Sequence, residues 1–171
     1  KGAFCVDMAK ENPKKIVGID LDKKGIEFAQ TNLKKNFSEY SNKITYLYED
    51  INNWKTELKF DYIVSKQTFE HTFYMDKVLN SMHDLLNKNG LIYTGFGPLY
   101  NFFNGDHGLT KAFFPWFHLI LPESFLIKRV NKTRNEKINS IEDLGLNKYS
   151  LKDYKNFFYN SKFDVISFKT N

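Results

Sequence analysis

Ile16-Val17-Gly18-Ile19-Asp20 constrains the fold more than any other stretch of this chain. It is a short apolar run, rich in β-branched residues, that stops on a carboxylate. Such a run reads as a buried strand of a parallel sheet. Leu21-Asp22-Lys23-Lys24 follows and leads into helical spacing at Ile26, Ala29, Leu33 and Phe37. In an open parallel sheet, an acid at the carboxyl end of a strand sits at the ligand crevice. A carboxylate there can accept two hydrogen bonds from a ribose diol. Asp22 competes with Asp20 as the N-cap of the helix that follows.

The same alternation continues downstream. Residues 3–11 read as a helix closed by Asn12-Pro13, since proline disfavours helix at the residue before it. Ile44-Thr45-Tyr46-Leu47-Tyr48 is a second strand ending at Glu49-Asp50, and Phe60-Asp61-Tyr62-Ile63-Val64 a third ending at Ser65-Lys66-Gln67. Val78, Met82, Leu85 and Leu86 mark an amphipathic helix, with Gly90 where its C-terminal cap would stand. Leu91-Ile92-Tyr93-Thr94 is the next strand. Strands alternating with helices predict an α/β fold, doubly wound around a mostly parallel sheet with right-handed crossovers. The crevice is then lined by Asp20, Asp50, residues 65–71 and residues 95–98.

The pattern changes after Pro98. Residues 99–140 hold Tyr100, Phe102, Phe103, Phe113, Phe114, Trp116, Phe117 and Phe125, with His107 and His118 among them. The stretch is too long for a plain connection and too apolar for a solvated loop. It reads as an inserted lid or acceptor-binding subdomain between a core of residues 1–98 and a closing segment of residues 141–171. Ser140-Ile-Glu-Asp143 and Ser150-Leu-Lys-Asp153 resemble helix N-caps. Tyr154, Phe157 and Phe158 bury the second of those helices, and residues 163–168 read as a final strand.

Bulk properties narrow the function. The 171 residues suit one sizeable core. The net charge of +5 comes from lysines spread over the whole length, an ordinary solvated surface rather than a nucleic-acid stripe. The single cysteine, Cys5, excludes an intramolecular disulfide and a multi-cysteine zinc site, and fits a cytoplasmic setting. No apolar run reaches the roughly 18 residues of a membrane span. No His-x-x-x-His or comparable acid cluster appears, so no metal site is expected.

The order of these segments resembles the class I S-adenosylmethionine-dependent methyltransferases, in particular their small-molecule, methyltransferase type 11-like branch. The likeness covers residues 1–98 well and 140–168 weakly. Members carry a glycine-rich turn of the form D-x-G-C-G-x-G after their first strand. Lys1-Gly2-Ala3-Phe4-Cys5-Val6 resembles its tail, with Gly2 as the last glycine; the first strand and earlier glycines would then precede the sequence, which opens on Lys rather than Met. The resemblance implies a Rossmann-like fold and S-adenosyl-L-methionine as cofactor. It assigns Asp20 to the ribose hydroxyls, Leu21 to the flank of the adenine, Asp50 to the adenine amine and the Ile51 N–H to a ring nitrogen. Ser65, Lys66 and Gln67 approach the methionine end. Glu70-His71 matches a frequent acid-histidine pair, and Gly90-Leu91-Ile92 the turn into the next strand.

The implied activity is methyl transfer to a small or medium organic acceptor by in-line displacement. Ser65-Lys66-Gln67-Thr68 stands where base and amide N-methyltransferases usually carry an Asn/Asp-Pro-Pro-Tyr/Phe segment, which argues against those acceptors. Cys5 is misplaced for cytosine C5 chemistry. His71, His107 and His118 are the candidate catalytic residues; His83 reads as structural. Gly105-Asp106-His107-Gly108 and Phe114-Pro115-Trp116-Phe117-His118 resemble a Gly-x-His … Pro-Trp-x-His segment of some bacterial members. They form either an aromatic-walled acceptor pocket or a hydrophobic subdomain core. Competing readings are a non-catalytic partner-binding module, or a fragment unable to bind the cofactor, and an RNA methyltransferase.

Overall fold

The computed structural model describes residues 2–111 and 113–170, so Lys1 of the expected loop lies outside the described residues. The chain divides into two compact units, Lys1–Glu57 and Leu58–Asn171. That boundary falls inside the 1–98 stretch that reads as a single core in the sequence.

In the first unit, helix α1 (Ala3–Ala9) precedes strand β1 (Ile16–Asp20), helix α2 (Lys23–Asn36) and strand β2 (Ile44–Tyr48). The strands pair in parallel, with Ile16 opposite Ile44 and Asp20 opposite Tyr48. Val6, Ala9, Ile26, Ala29, Leu33, Ile44 and Tyr46 form the core, so one stripe of each helix meets one face of β2. Thr45 and Tyr48 point outward. In β2 the buried Ile44 and Tyr46 flank the exposed Thr45, and β1 is half-buried rather than enclosed as its composition suggests. Gly18 is required by packing: a Cβ there would lie 2.8 Å from Cys5 Sγ and 2.9 Å from the Tyr46 ring. The Asp22 side chain caps α2 by accepting from the Gly25 N–H at 3.0 Å, while Lys34 and Lys35 offset the dipole at its other end.

In the second unit, strand β3 (Phe60–Lys66), helix α3 (Met75–Leu85) and strand β4 (Leu86–Gly95) form a β-α-β unit with parallel strands. Met75, Val78, Leu79, Met82 and Leu85 bury one face of α3. Gly90 is not the cap of this helix. The helix stops at Leu85, and Leu86 is already extended and opposite Phe60. The chain then bulges, with Asn89 left-handed at φ 64° and the Asn87 side chain donating to Asp61 at 2.8 Å. The ladder resumes at Leu91 opposite Tyr62, and just before it a Cβ at Gly90 would come within 3.1 Å of the Phe60 carbonyl.

Three short helices complete this unit: α4 (Phe117–Ile120), α5 (Glu123–Asn131) and α6 (Leu151–Tyr159). Ser150 and Asp153 form a full capping box at the start of α6. The matching signal at Ser140–Asp143 gives only a 3₁₀ turn. Asp143 accepts from the Asn139 and Ser140 N–H groups, but Gly145 at φ 79° ends the turn. Residues 163–168 do not form the expected strand among the described residues. Their alternating pattern finds no ladder partner. Phe168 instead lies over Phe158 and Tyr159, and Ile166 is 83% exposed.

Candidate functional site

The expected cofactor residues of the first unit gather at one end of the β1–β2 pair. Gly2 adopts φ 78°, and its carbonyl accepts from the Tyr46 hydroxyl at 2.7 Å. A Cβ at Gly2 would stand 2.7 Å from the Ala29 Cβ, so only glycine lets α1 start this close to α2. Burial pushes both the Tyr46 hydroxyl and the Cys5 thiol upward, which keeps them protonated and makes Cys5 a packing residue rather than a nucleophile.

The parallel register places the ends of β1 and β2 side by side, and the Glu49 N–H donates to the Asp20 carbonyl at 3.3 Å. The Asp20 carboxylate is exposed. One of its oxygens accepts from the Asp22 N–H at 2.9 Å, which fixes the group in an Asx turn. Capping of α2 therefore falls to Asp22, and Asp20 stays clear of that duty. Leu21 beside it is 66% exposed. Asp50 is half-buried and organises its own turn, accepting from the Asn52 N–H and the Asn53 side chain, both at 2.9 Å. Ile51 lies within that turn.

In the second unit, Ser65 and Lys66 end β3 opposite Thr94 and Gly95. Gln67 turns the chain at φ 54°, and its N–H donates to the Gly95 carbonyl at 2.8 Å. With the amide oriented so that its nitrogen faces acceptors, the Gln67 side chain donates to the Gly97 carbonyl at 2.7 Å and to Glu70 Oε1 at 2.9 Å. The 3₁₀ turn Phe69–His71 follows. Phe69 is buried against Phe96 and Phe158, which fixes the turn.

The three candidate histidines fare differently. His118 is buried, with Nε2 at 2.7 Å from the Tyr100 carbonyl and Nδ1 at 3.9 Å from Asp106 Oδ1. Asp106 in turn accepts from the Gly108 N–H and the Thr110 hydroxyl. His118 thus ties the Gly105–Gly108 turn to α4. His107 is half-buried, and its Nε2 lies 3.1 Å from the Pro98 carbonyl. His71 is exposed, with Nδ1 at 2.9 Å from the Gly145 carbonyl. The rings of His71 and His107 are 4.9 Å apart, although 36 positions separate them in sequence. Glu70, His71 and His107 each bring one ligand-type atom within 4.8 Å of the other two. Nothing in local spacing signals this grouping.

His107 lines a cavity of about 680 Å³ whose walls include Phe102, Phe103, Phe113, Phe114 and Asp106. Those four phenylalanines are exposed rather than packed into a core. The Arg129 guanidinium lies 3.6 Å from the Phe113 ring centroid. A Cβ at Gly105 would sit 2.0 Å from the Leu99 carbonyl, so the turn that presents His107 requires glycine there.

Comparison with known proteins agrees with this architecture. The profile of a family described as a methyltransferase domain matches residues 1–97. The chain belongs to this family, among the class I S-adenosylmethionine-dependent methyltransferases. It is 36% identical over 78 residues to the ubiquinone biosynthesis O-methyltransferase of Pelagibacter ubique (strain HTCC1062), a match covering 46% of this chain and 31% of that protein. The chain thus spans less than a third of the length of that curated relative. The structure of PKMT2 from Rickettsia typhi, solved in complex with AdoHcy, superposes with a TM-score of 0.50 at 21% identity, covering 94% of this chain and 32% of that one. This likeness shows the Rossmann-like methyltransferase fold. The N-methyltransferase NodS from Bradyrhizobium japonicum WM9, in complex with S-adenosyl-L-homocysteine, gives 0.47 at 24% identity over 54% of this chain and 46% of that one.

Proposed function

We propose that the chain acts in methyl transfer from S-adenosylmethionine to a small or medium organic acceptor. Asp20 carries the reading. It is an exposed carboxylate at the carboxyl end of a parallel strand, held by the Asp22 N–H and released from helix capping. Such a group suits the two hydroxyls of a ribose. Leu21 offers an apolar flank for adenine, and Asp50 and the Ile51 N–H offer an acceptor and a donor for its edge. Gly2 closes the turn at the start of α1. Ser65, Lys66 and Gln67 keep the methionine-end role that the family resemblance assigns.

When bound, the cofactor supplies a methyl group already activated on a sulfonium. The chain's task is then alignment and exclusion of water more than bond making. The aromatic-walled cavity beside His107 is the acceptor pocket in this reading, and its size suits a small organic molecule. His107 and His71 orient or deprotonate the acceptor. His118 serves as a positioning residue, because both its ring nitrogens face the protein interior. The name of the Pelagibacter relative supports an oxygen acceptor.

Thermal unfolding with and without S-adenosylmethionine tests the proposal. At a ligand concentration of about a hundred times Kd, binding should stabilise the fold by about 2.7 kcal/mol. An unchanged melting temperature at millimolar cofactor would reject it.

A further inference from the structure

Hydrogen bonds around Glu70, His71 and His107 settle which of their atoms can act as ligands. His71 Nδ1 and His107 Nε2 each face a backbone carbonyl, of Gly145 and Pro98. A carbonyl oxygen only accepts, so those nitrogens carry the ring proton. In the neutral imidazoles, His71 Nε2 and His107 Nδ1 are then bare lone pairs. Ligating histidines show this arrangement, donating their remaining N–H to a carbonyl that fixes the ring.

Glu70 adds the third donor. The residue is 3% exposed, and its Oε1 takes the Gln67 amide. Its Oε2 is buried and has no hydrogen-bond partner among the described residues. A buried carboxylate oxygen left without a donor is destabilising. A cation supplies what the surrounding protein does not.

We propose that Glu70, His71 and His107 form a binding site for a divalent transition-metal ion. Two imidazoles and one carboxylate suit Zn²⁺, Mn²⁺, Fe²⁺ or Co²⁺; Mg²⁺ and Ca²⁺ favour oxygen donors. Bond lengths near 2.1 Å bring tetrahedral ligand atoms to about 3.4 Å from one another. One ligand-type atom of each residue lies within 4.8 Å of the other two, so the ligands draw together by up to about 1.4 Å when the ion binds. Three protein ligands leave coordination positions open. Because His107 also lines the aromatic cavity, those positions can be reached by an oxygen of a molecule bound there. That use of the site rests on the methyl-transfer reading; binding of the ion does not. In the metal-loaded protein the two histidines hold the ion, and the ion orients the acceptor oxygen in their place.

The test is calorimetric titration of Zn²⁺ into the full chain after removal of metals with EDTA, without S-adenosylmethionine, so the outcome is independent of methyl transfer. One Zn²⁺ per chain is expected, with Mg²⁺ at least about tenfold weaker. His71→Ala and Glu70→Gln should each weaken Zn²⁺ about tenfold or more. His83→Ala should not, because that ring packs on Phe163 and faces Asp84. His71 is exposed, so its substitution leaves the fold intact even where Glu70→Gln disturbs it. Absence of stoichiometric Zn²⁺, equal affinity for Mg²⁺, or full Zn²⁺ affinity in His71→Ala would overturn the proposal.

Discussion

The Tyr154 hydroxyl donates to the Phe69 carbonyl at 2.8 Å, across 85 positions of sequence. Asn147 reinforces the contact. Its amide nitrogen lies 2.6 Å from the Phe69 carbonyl, 2.7 Å from that of Thr72 and 3.0 Å from the Tyr154 oxygen. Helix α6 and the loop before it thus hold the turn that carries Glu70 and His71. Phe69, Asn147 and Tyr154 are buried, and burial pushes the Tyr154 hydroxyl up to about 12. It therefore stays protonated, and a donor, at neutral pH.

Tyr154→Phe removes one donor while Asn147 still serves the Phe69 carbonyl. A loss of about 1 kcal/mol in urea denaturation is expected. Asn147→Leu leaves the Thr72 carbonyl without its donor and should cost about 2–3 kcal/mol. Equal effects of the two would show that Asn147 is not the centre of the network.

Gly105 and Gly108 flank His107 but tolerate substitution differently. An alanine Cβ at Gly105 meets the Leu99 carbonyl, and a loss of about 3 kcal/mol is expected. At Gly108 nothing lies within 4 Å, but φ is +73°, so Gly108→Ala should cost only about 1 kcal/mol. Thermal or chemical unfolding of the two variants checks the order.

Acid stability draws on carboxylates with lowered pKa values, among them Glu123, Asp143 and Asp153. Glu123 is lowered by its hydrogen bond with Lys148, Asp143 by the Asn139 and Ser140 N–H groups, and Asp153 by Ser150. Their ordinary values are 4.5 for Glu and 3.8 for Asp. A folded-state pKa below the unfolded one gives stability that is complete above the unfolded value. It is lost as pH falls through the folded value. The melting temperature should therefore fall as pH drops below about 4.5. A double variant, Asp143→Asn with Asp153→Asn, should show a shallower decline; an unchanged slope would remove these two groups from the account.

Much of the fold was legible in local pattern. The strand Ile16–Asp20, the strand Ile44–Tyr48 and the Ser150–Asp153 cap stand where their residues predict, because a short β-branched run and a Ser–Asp exchange three positions apart are both visible in local pattern. Residues 163–168 alternate like a strand but find no ladder partner, and alternation alone cannot supply one. Gly90 looks like a helix cap by spacing; a long-range approach to Phe60 decides its place. At the site, Asp20 and Asp22 are adjacent acids of similar promise, and only the Gly25 and Asp22 N–H bonds separate their roles. The Asp106–His118 contact and the grouping of Glu70 and His71 with His107 depend on tertiary packing. No periodicity encodes them.

In the proposed site, the loop after β1 holds the cofactor's ribose through Asp20. Calorimetric titration of S-adenosylhomocysteine into the chain and into Asp20→Ala tests it directly. Binding to the unaltered chain is expected, weakened by about 1–3 kcal/mol in the variant, with both proteins melting alike. Equal affinity in the two, or no binding to the unaltered chain, would contradict the account.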